Sequence, residues 1–547
     1  MSKGKRLIAL CLLLAVLCAG SMALSRYNER QETAQEAETD ADETVLALED
    51  VQRIDVAFEG ERVSMRRDGD TWVDGDDPDF PLDATYPEQM ASALEQITSA
   101  RSVSGDLAEY GLDEPQLTVS TTDGAGEETT LFVGDENAVT GLYYARLDGS
   151  ETVYTIASSD VSPFMRTRYE MIQDEAFPTI SADSVTRVEL TAAEAQRTLV
   201  HLEDGWPQAY SASFTWFEPT EEGGLAVVDA DGAESWLSSA LNVSYLGTVA
   251  YDATDADVTA CGLDAPAVTL EITSAHSAQV ELDALEVLQA RALLELTPLR
   301  QSGLLDDWTI EESQDAAQQI ERLWSGTDDG ARTYDVSRTE RLTLWISEPD
   351  AEGVRYMRHS ASKRIFTVAE SYATTLAGLP DLDLTETAIC QVEMDRVNRL
   401  TIAAEGATKV IEVDRTPVLG EDGFYDAHTA YRLNGQEIES GQFTGFMTLL
   451  NQLNAEAYTD SQDVGNVCMT VILEQQRASH PSMTLTIYDY DANFYRASFA
   501  GQSDMLISKR DVEALLERFE QIGVSDTAET ADTADTADTV VTGDTTP

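Results

Sequence analysis

Residues 110–115 read YGLDEP, and residues 261–266 read CGLDAP. An alternating run typical of a β-strand follows each hexapeptide, QLTVSTT after the first and AVTLEITS after the second. Two copies of one segment, each before the same kind of strand, indicate a duplicated module. The patterns on either side of the two hexapeptides therefore define most of the domain organisation.

The first α+β repeat module is predicted over residues 45–180. A hairpin turn at Asp68-Gly69 leads to Trp72, and the helix that follows begins near Pro87. Its apolar stripe is Met90, Leu94 and Ile97. The other predicted elements are strands at 51–58, 117–121 and 129–133, a turn at 134–135, a closing hairpin at 142–157 and a helix from about residue 159.

The second module repeats this order over residues 181–390 and carries a helical insertion near 282–324. Asp204-Gly205-Trp206 takes the place of the first turn and its tryptophan, and a helix at 235–243 follows it. The remaining predicted elements are a strand at 185–190, inserted helices at 282–296 and 310–324, and strands within 341–347 and 355–371.

A divergent third module is predicted over residues 391–523, without a GLD segment. Its helix has the clearest apolar stripe in the chain, formed by Phe443, Met447, Leu450 and Leu453. The other predicted elements are strands at 399–403, 469–474, 483–490 and 494–499, a turn at 422–425 and a final helix at 511–519. The predicted fold class is therefore α+β, with tandem modules of mostly antiparallel sheet packed with one or two helices, after an N-terminal transmembrane helix.

The two ends of the chain differ from the modules in composition. Lys3, Lys5 and Arg6 precede the apolar residues 7–24, which predicts a signal anchor or transmembrane helix over residues 1–27. Ser21-Met22-Ala23 offers a cleavage site as the alternative. Residues 28–44 are expected to form an acidic disordered stalk, and residues 524–547 a disordered acidic tail. This predicts a single-pass protein of the cell membrane with most of its chain extracytoplasmic.

Net charge and cysteine count limit the classes of partner. The formal net charge of −65 argues against nucleic acid as a partner, since that needs a basic face. The charge fits either an acidic, solvated surface or attraction of a basic partner.

Cys261, Cys390 and Cys468 are the cysteines of the modules, which leaves one disulfide or three buried thiols as alternatives.

No sequence pattern singles out catalytic chemistry, so we expect a protein that is not an enzyme, with no catalytic, cofactor-binding or metal-binding residues. The histidines lack metal-ligand spacing; they are His201, His276, His359, His428 and His480. Acidic turns offer calcium sites or, alternatively, solvated loops; these are Asp68, Asp70, Asp74, Asp76, Asp77 and Asp79, and then Asp229 and Asp231. A glycosidase-type carboxylate pair would need a spacing that nothing in the sequence marks.

The repeated polar and aromatic residues have two interpretations. Asp113 and Asp264 of the GLD segments would contact a ligand or cap the backbone of a turn that buries the leucine. Trp72 and Trp206 would pack across a hairpin or serve as a sugar platform. Tyr143-Tyr144 alternate on a strand, so one is expected to be buried and the other exposed.

The order of these motifs resembles the domain-of-unknown-function family 4340 (DUF4340). The GLD-x-P segments and the stretch VGDENAVTGLYYARLDGSETVYTIAS carry the likeness. The resemblance implies a membrane-anchored, extracytoplasmic protein whose gene neighbours encode ABC-transporter components of the gliding-motility type. It implies permease and ATPase subunits as partners, and no established activity.

These observations lead to two expected functions. The first is a non-enzymatic accessory or scaffold protein, anchored in the membrane, of an ABC-type transport or envelope-assembly complex. The alternative is an extracellular protein that binds a cell-wall glycan or another ligand, or serves in adhesion. Neither the ligand nor the oligomeric state follows from the sequence.

Overall fold

The computed structural model describes residues 43–193, 195–282, 310–323, 332–419, 425–461 and 463–524. Several predictions fall outside these residues: the signal anchor, nearly all of the stalk, the first inserted helix beyond residue 282, the turn at 422–424 and the tail from residue 525. Among the described residues, no helix is both long enough and apolar enough to cross a membrane.

The fold is α+β, as predicted, and the described residues contain three antiparallel sheets. The chain divides into two compact units. Unit one comprises the described residues up to 178 together with 244–265 and 347–369, and unit two comprises 179–243, 266–346 and the described residues from 370. Strands of the first sheet belong to unit one and strands of the third sheet to unit two, whereas strands of the second sheet occur in both.

The first sheet has the strand order β1-β5-β9-β8-β7-β6-β2-β3-β4. Alternation of apolar and polar residues turns Ile54 and Val56 inward, and the helix α1 covers them with Met90 and Leu94. The elements are β1 (Glu43–Leu46), β2 (Val51–Phe58), β3 (Glu61–Asp68), β4 (Thr71–Asp74), α1 (Thr85–Leu94), β5 (Ile97–Val103), β6 (Leu117–Asp123), β7 (Glu128–Glu136), β8 (Tyr143–Leu147), β9 (Val153–Ile156) and α2 (Ser158–Val161).

The second sheet contributes the run β13-β12-β11-β10-β15-β16 to unit two and the run β17-β18-β14 to unit one. Its elements are β10 (Val185–Ala192), β11 (Ala195–His201), β12 (Trp216–Pro219), β13 (Leu225–Val227), α3 (Ala230–Leu241), β14 (Tyr245–Ala250), α4 (Asp255–Ala260), β15 (Val268–Leu282), α5 (Ile310–Leu323), β16 (Arg332–Ile346), β17 (Arg355–His359), β18 (Ile365–Val368) and α6 (Glu370–Ala377). The predicted second inserted helix is α5, and it lies against β16, the antiparallel partner of β15.

The third sheet has the order β22-β21-β20-β19-β24-β25-β26-β27-β23. Phe443, Met447 and Leu450 of α7 are buried with Val512 and Leu515 of α8 in one core. The elements are β19 (Val397–Ala404), β20 (Ala407–Leu419), β21 (Tyr425–Leu433), β22 (Gln436–Ile438), α7 (Ser440–Asn451), β23 (Ala457–Tyr458), β24 (Val467–Gln475), β25 (Ser482–Asp489), β26 (Phe494–Phe499), β27 (Gln502–Ser508) and α8 (Lys509–Gln521).

The same strand order recurs in the three sheets. The run β4-β3-β2-β6-β7 corresponds to β12-β11-β10-β15-β16 and to β21-β20-β19-β24-β25. The run β8-β9-β5 corresponds to β17-β18-β14 and to β26-β27-β23. The repeated architecture therefore extends to the third sheet, although its sequence lacks the GLD segment.

The GLD segments end helices. The 3₁₀-helix Leu107–Tyr110 stops at Gly111, and α4 stops before Gly262; each glycine has a φ of 66°. In each turn the amide of the next leucine donates to a carbonyl five residues back, at 2.9 Å, which is a Schellman arrangement. Leu112 and Leu263 are buried, as expected. Asp113 and Asp264 are exposed, and the glycine conformation rather than the aspartate ends the helix, so the predicted aspartate cap is wrong.

Four further local predictions were wrong. Ile97 opens strand β5 instead of continuing α1, and residues 134–135 continue strand β7 through an irregularity in its register with β8. Asp204-Gly205-Trp206 lies in the long connection between β11 and β12 instead of a tight hairpin. Strand β27 follows β26 and continues the sheet that residues 494–499 were expected to close.

The long connection between β11 and β12 explains the third of these differences. Its carbonyl groups accept hydrogen bonds from Arg477, which reaches Trp206 at 2.7 Å and Ala209 at 2.6 Å. Tyr210 in turn donates to the carbonyl of Ile389 at 3.2 Å. Residues far away in the sequence therefore hold this connection by hydrogen bonds to its backbone and from its tyrosine. A two-residue turn would be too short to make these contacts.

Candidate functional site

The tryptophans and tyrosines of the repeated motifs do not form an exposed aromatic platform. Trp72 is buried in the core of the first sheet, with the guanidinium of Arg67 4.9 Å from its ring centroid. Trp206 is half-buried and meets Phe217 edge-on, with centroids 6.3 Å apart. Tyr143 and Tyr144 are both half-buried, so the expected contrast between them is wrong. Core packing is therefore the role of Trp72.

The first acidic turn is organised around an arginine. Arg168 Nε donates to Asp74 at 2.8 Å, and its Nη2 donates to Asp77 at 3.4 Å. Asp74 also accepts the backbone amides of Asp76 and Asp77, at 3.0 and 2.9 Å. The hydroxyl of Tyr251 donates to Asp77 and is the main cause of the lowered pKa of that carboxyl. A guanidinium is therefore the cation that this acidic turn binds.

The remaining titratable candidates are also dispersed. Asp229 caps α3 by accepting the amide of Gly232 at 3.2 Å. The three cysteines among the described residues, Cys261, Cys390 and Cys468, are free thiols, and the first two are buried. Within the described ranges, no three His, Cys, Asp or Glu side chains are grouped so that they could hold a metal ion.

A cleft of about 640 Å³ in unit one brings together residues that the sequence does not connect. One wall is the segment at 166–175, which includes the 3₁₀-helix Arg168–Met171, and the opposite wall is β14 with Phe366 of β18. Asp83 and Tyr86 line it beside the start of α1. The cleft is thus formed by residues of both the first and the second predicted module.

Short backbone contacts fix the first wall. The amide of Asp83 donates to the carbonyl of Met171 at 2.9 Å, and that of Gln173 to Pro81 at 2.8 Å. Thr167 and Glu170 form a capping box in which the Glu170 carboxylate accepts the amide and hydroxyl of Thr167, at 2.7 and 3.0 Å. Backbone hydrogen bonds and this capping box, whose two residues also line the cleft, therefore hold the wall in place.

Aromatic rings form the apolar part of the cleft. Tyr245 stacks on Phe366 with ring centroids 3.8 Å apart, and Arg166 lies over the ring of Tyr86 at 4.8 Å. Burial raises the pKa of Tyr245, and the Glu175 carboxylate adds to the effect. Within the described residues, the Tyr245 hydroxyl and Arg166 Nε are buried without a hydrogen-bond partner. Two such atoms beside one cleft are unusual, because nearly all buried polar atoms in proteins have a hydrogen-bond partner.

A buried histidine lies behind the aromatic wall. His359 has a side chain 1% exposed, and its Nε2 lies 4.0 Å from Glu175, a carboxylate that pairs with Arg364 at 2.9 Å. Neither ring nitrogen of His359 has a hydrogen-bond partner among the described residues. Burial lowers the pKa of this imidazole, while Glu175 acts in the opposite direction.

Strand β14 presents an open edge to the cleft. It pairs with β18 on one side and ends the run β17-β18-β14. Leu246 projects from it with 70% of its surface exposed. Sequence reasoning missed this strand because the segment YLGTVA is short and does not alternate cleanly.

Unit two has a second cleft, of about 600 Å³, whose main cation already has protein partners. Arg197 donates to the carbonyls of Leu379, at 3.0 Å, and Leu382, and to the carboxylate of Glu218 at 3.3 Å. This second cleft is therefore a structural junction between segments of unit two, whereas the cleft in unit one is the better candidate for a binding site.

Comparison with known protein families gives one match. The model of the family described as "Domain of unknown function (DUF4340)" matches residues 72–266 and 280–466, more than half of the chain, which confirms the resemblance. Each matched stretch crosses a predicted module boundary, so the boundaries after residues 180 and 390 stay predictions. No curated protein and no solved structure matches the chain.

Proposed function

The chain belongs to the DUF4340 family, and we propose that it is a membrane-anchored, extracytoplasmic, non-enzymatic accessory or scaffold protein of an ABC-type transport or envelope-assembly complex. The anchor in this proposal is the apolar stretch at 7–24 behind Lys3, Lys5 and Arg6. The positive flank would stay in the cytoplasm, so the three sheets would lie outside it.

The cleft in unit one is the observation that carries the scaffold function. It combines an open strand edge, aromatic walls and buried polar atoms that have no partner among the described residues. Such a surface offers hydrogen bonds and apolar contact to a second molecule without placing reacting groups together. Repeated sheets with rigid cores suit a protein that holds partners in fixed positions.

The alternative function, recognition of a cell-wall glycan, has one observation in its favour. Tyr86, Tyr169 and Tyr245 line the same cleft as the carboxylates of Asp83 and Asp174, a combination that can stack on and hydrogen-bond a sugar. Binding of the full chain to purified wall glycan, lost in Tyr86→Ala, would favour this alternative. Unchanged binding of the glycan by that variant would show that the cleft is not the glycan-binding site.

Recovery of partners from the native membrane tests the scaffold proposal. The full-length protein is cross-linked mildly, solubilised and isolated, and the co-purifying chains are identified by mass spectrometry. We expect a permease and its ATPase. The matched control replaces residues 1–27 with a cleavable secretion signal, which keeps the folded units and removes the anchor. Recovery of no transporter subunit with the full-length protein would overturn the proposal.

A further inference from the structure

We infer that the open edge of β14 binds an extended, positively charged segment of a partner protein as an additional antiparallel strand in the unit-one cleft. The inference rests on the proposed function, because a scaffold needs a partner segment, and it names the chemistry of that segment. Strand addition is an established mode of peptide recognition, in which the backbone supplies hydrogen bonds and alternate side chains supply specificity.

The first sheet shows how the corresponding edge is filled. Strand β5 corresponds to β14 in the repeated order, and β1 pairs with β5 in antiparallel fashion, for example Glu43 with Ser99 and Thr44 with Thr98. This extended segment of four residues comes from outside the repeated strand order. In unit one, β14 has no such strand on its outer side among the described residues. The 3₁₀-helix Arg168–Met171 contacts β14 but does not pair with it as a strand. The chain therefore contains one version of this edge that is paired with a strand and one that has no paired strand among the described residues.

The sequence of β14 lacks side chains that usually protect an open edge. Exposed edges are blunted by lysine, proline, inward charges or bulges, since unpaired backbone groups invite another strand. YLGTVA contains no charge and no proline, and Leu246 is exposed. Its register with β18 shifts between Tyr245 and Gly247 and again between Thr248 and Ala250. These bulge-like shifts blunt part of the edge, so the added strand should be short, about as long as β1.

The lining of the cleft decides the charge of the segment. Four carboxylates and one arginine line it, and one of the carboxylates, Glu175, is paired with Arg364. Asp174 is exposed, and no described residue donates a hydrogen bond or pairs with its carboxylate. The cleft therefore has an excess of negative charge over Arg166. The net charge of −65 adds a long-range attraction for basic segments.

The two walls of the cleft determine which residue types should alternate along the partner segment. In an added strand, successive side chains point to opposite faces. One row would lie against the ring of Tyr245, which stacks on the buried Phe366, and this favours apolar residues. The other row would point to Asp174 and the acidic side, which favours lysine or arginine. The expected partner segment thus alternates apolar and basic residues.

The test uses the full-length chain in detergent and a fluorescent Lys-Val-Lys-Val-Lys-Val peptide as probe. A Glu-Val peptide of the same length tests the charge, and a Lys-Gly peptide tests the strand. Leu246→Lys and Asp174→Lys alter the edge and the acidic side. Their matched controls are Val139→Lys and Asp148→Lys, which change exposed residues of the same unit away from the cleft lining. Thermal unfolding verifies that each variant is folded.

We expect the Lys-Val peptide to bind the wild type and both control variants equally well. Its affinity for each cleft variant should be lower by about tenfold or more. Hydrogen exchange of residues 245–250 should slow when the peptide is bound. The inference is overturned if the Lys-Val peptide does not bind, if the Glu-Val or Lys-Gly peptide binds equally well, or if binding leaves exchange of β14 unchanged.

Membrane recovery separates this inference from the proposed function. If permease and ATPase co-purify equally with the wild type and with both cleft variants, the scaffold function is supported, but the β14 edge is not the surface that contacts the transporter. A wild type that recovers no transporter subunit but binds the Lys-Val peptide at β14 would reject the transporter complex and keep the strand-addition site.

Discussion

The clefts of the two units have similar volumes, about 640 and 600 Å³, but their polar groups are used differently. In unit two, Arg197 and Tyr210 donate hydrogen bonds to carbonyl groups of the same unit. In unit one, the Tyr245 hydroxyl and the outer edge of β14 lack partners among the described residues. Both clefts contain an arginine Nε without a partner, so that atom does not distinguish them. What distinguishes them is whether the remaining groups hold the protein together.

Arg197→Met should have the largest effect on stability among the arginine substitutions. The substitution keeps the apolar stem but leaves two carbonyl groups and Glu218 without their donor. We expect unit two to lose about 3 kcal/mol of unfolding free energy, measured by urea unfolding with hydrogen exchange of β11 and β12. Arg341→Met is the matched control, because Arg341 is 66% exposed and pairs with Glu271 only at the surface; its loss should be about 0.5 kcal/mol. Equal losses would show that the second cleft is not held by Arg197.

Arg168→Met tests the wall of the unit-one cleft. The Asp74 carboxylate, 3% exposed, would lose its guanidinium but keep two backbone amides. We therefore expect a smaller loss, about 2 kcal/mol. The readout is the unfolding free energy of unit one. Arg66→Met serves as control, since its contact with Asp68 is 4.0 Å long and exposed. If Arg168→Met were neutral, the wall would not depend on the acidic turn.

His359 should make the stability of unit one depend on pH. Burial lowers the pKa of this imidazole in the folded state, whereas the unfolded chain binds the proton near pH 6.5. Stability from the neutral ring is complete above about pH 6.5 and falls at lower pH, because only the unfolded state gains the proton. The comparison is the change in Tm between pH 7 and 5 for wild type and His359→Leu. The Tm of His359→Leu should fall less between pH 7 and 5 than that of the wild type. The Tm of His428→Leu, which changes an exposed histidine, should fall as much as that of the wild type.

The elements that could be predicted from sequence are those whose signal is local. Ile54–Phe58 alternates within the strand Val51–Phe58, and the stripe of Phe443, Met447 and Leu450 has the helical period, so these elements lie where expected. The assignment of Ile97 failed because its spacing from Leu94 continues the helical stripe, although the chain turns there into strand β5, which lies between β1 and β9. Apolar spacing alone does not show where a helix ends.

The candidate site could not be predicted, because its parts come from distant positions. Tyr86, Arg166, Tyr245 and Phe366 meet in one cleft, and no pattern in the sequence links them. The acidic turn was recognised as unusual, but its cation, Arg168, lies beyond both the helix and the hexapeptide. A fold-level repeat determines where strands lie, whereas a site depends on how their connections differ from copy to copy.

The smallest expected effect is that of Leu246→Ser at the rim of the unit-one cleft. Leu246 is already 70% exposed, so the substitution returns little apolar surface to water and should change the unfolding free energy by less than about 0.5 kcal/mol. Leu384→Ser in the second cleft gives the contrast: that leucine is 3% exposed, and the same change should lower the stability of unit two by about 3 kcal/mol. Thermal unfolding of both variants measures the difference. A loss above about 1 kcal/mol for Leu246→Ser would mean that this leucine is covered in solution, and the β14 edge would then be a structural contact like the second cleft.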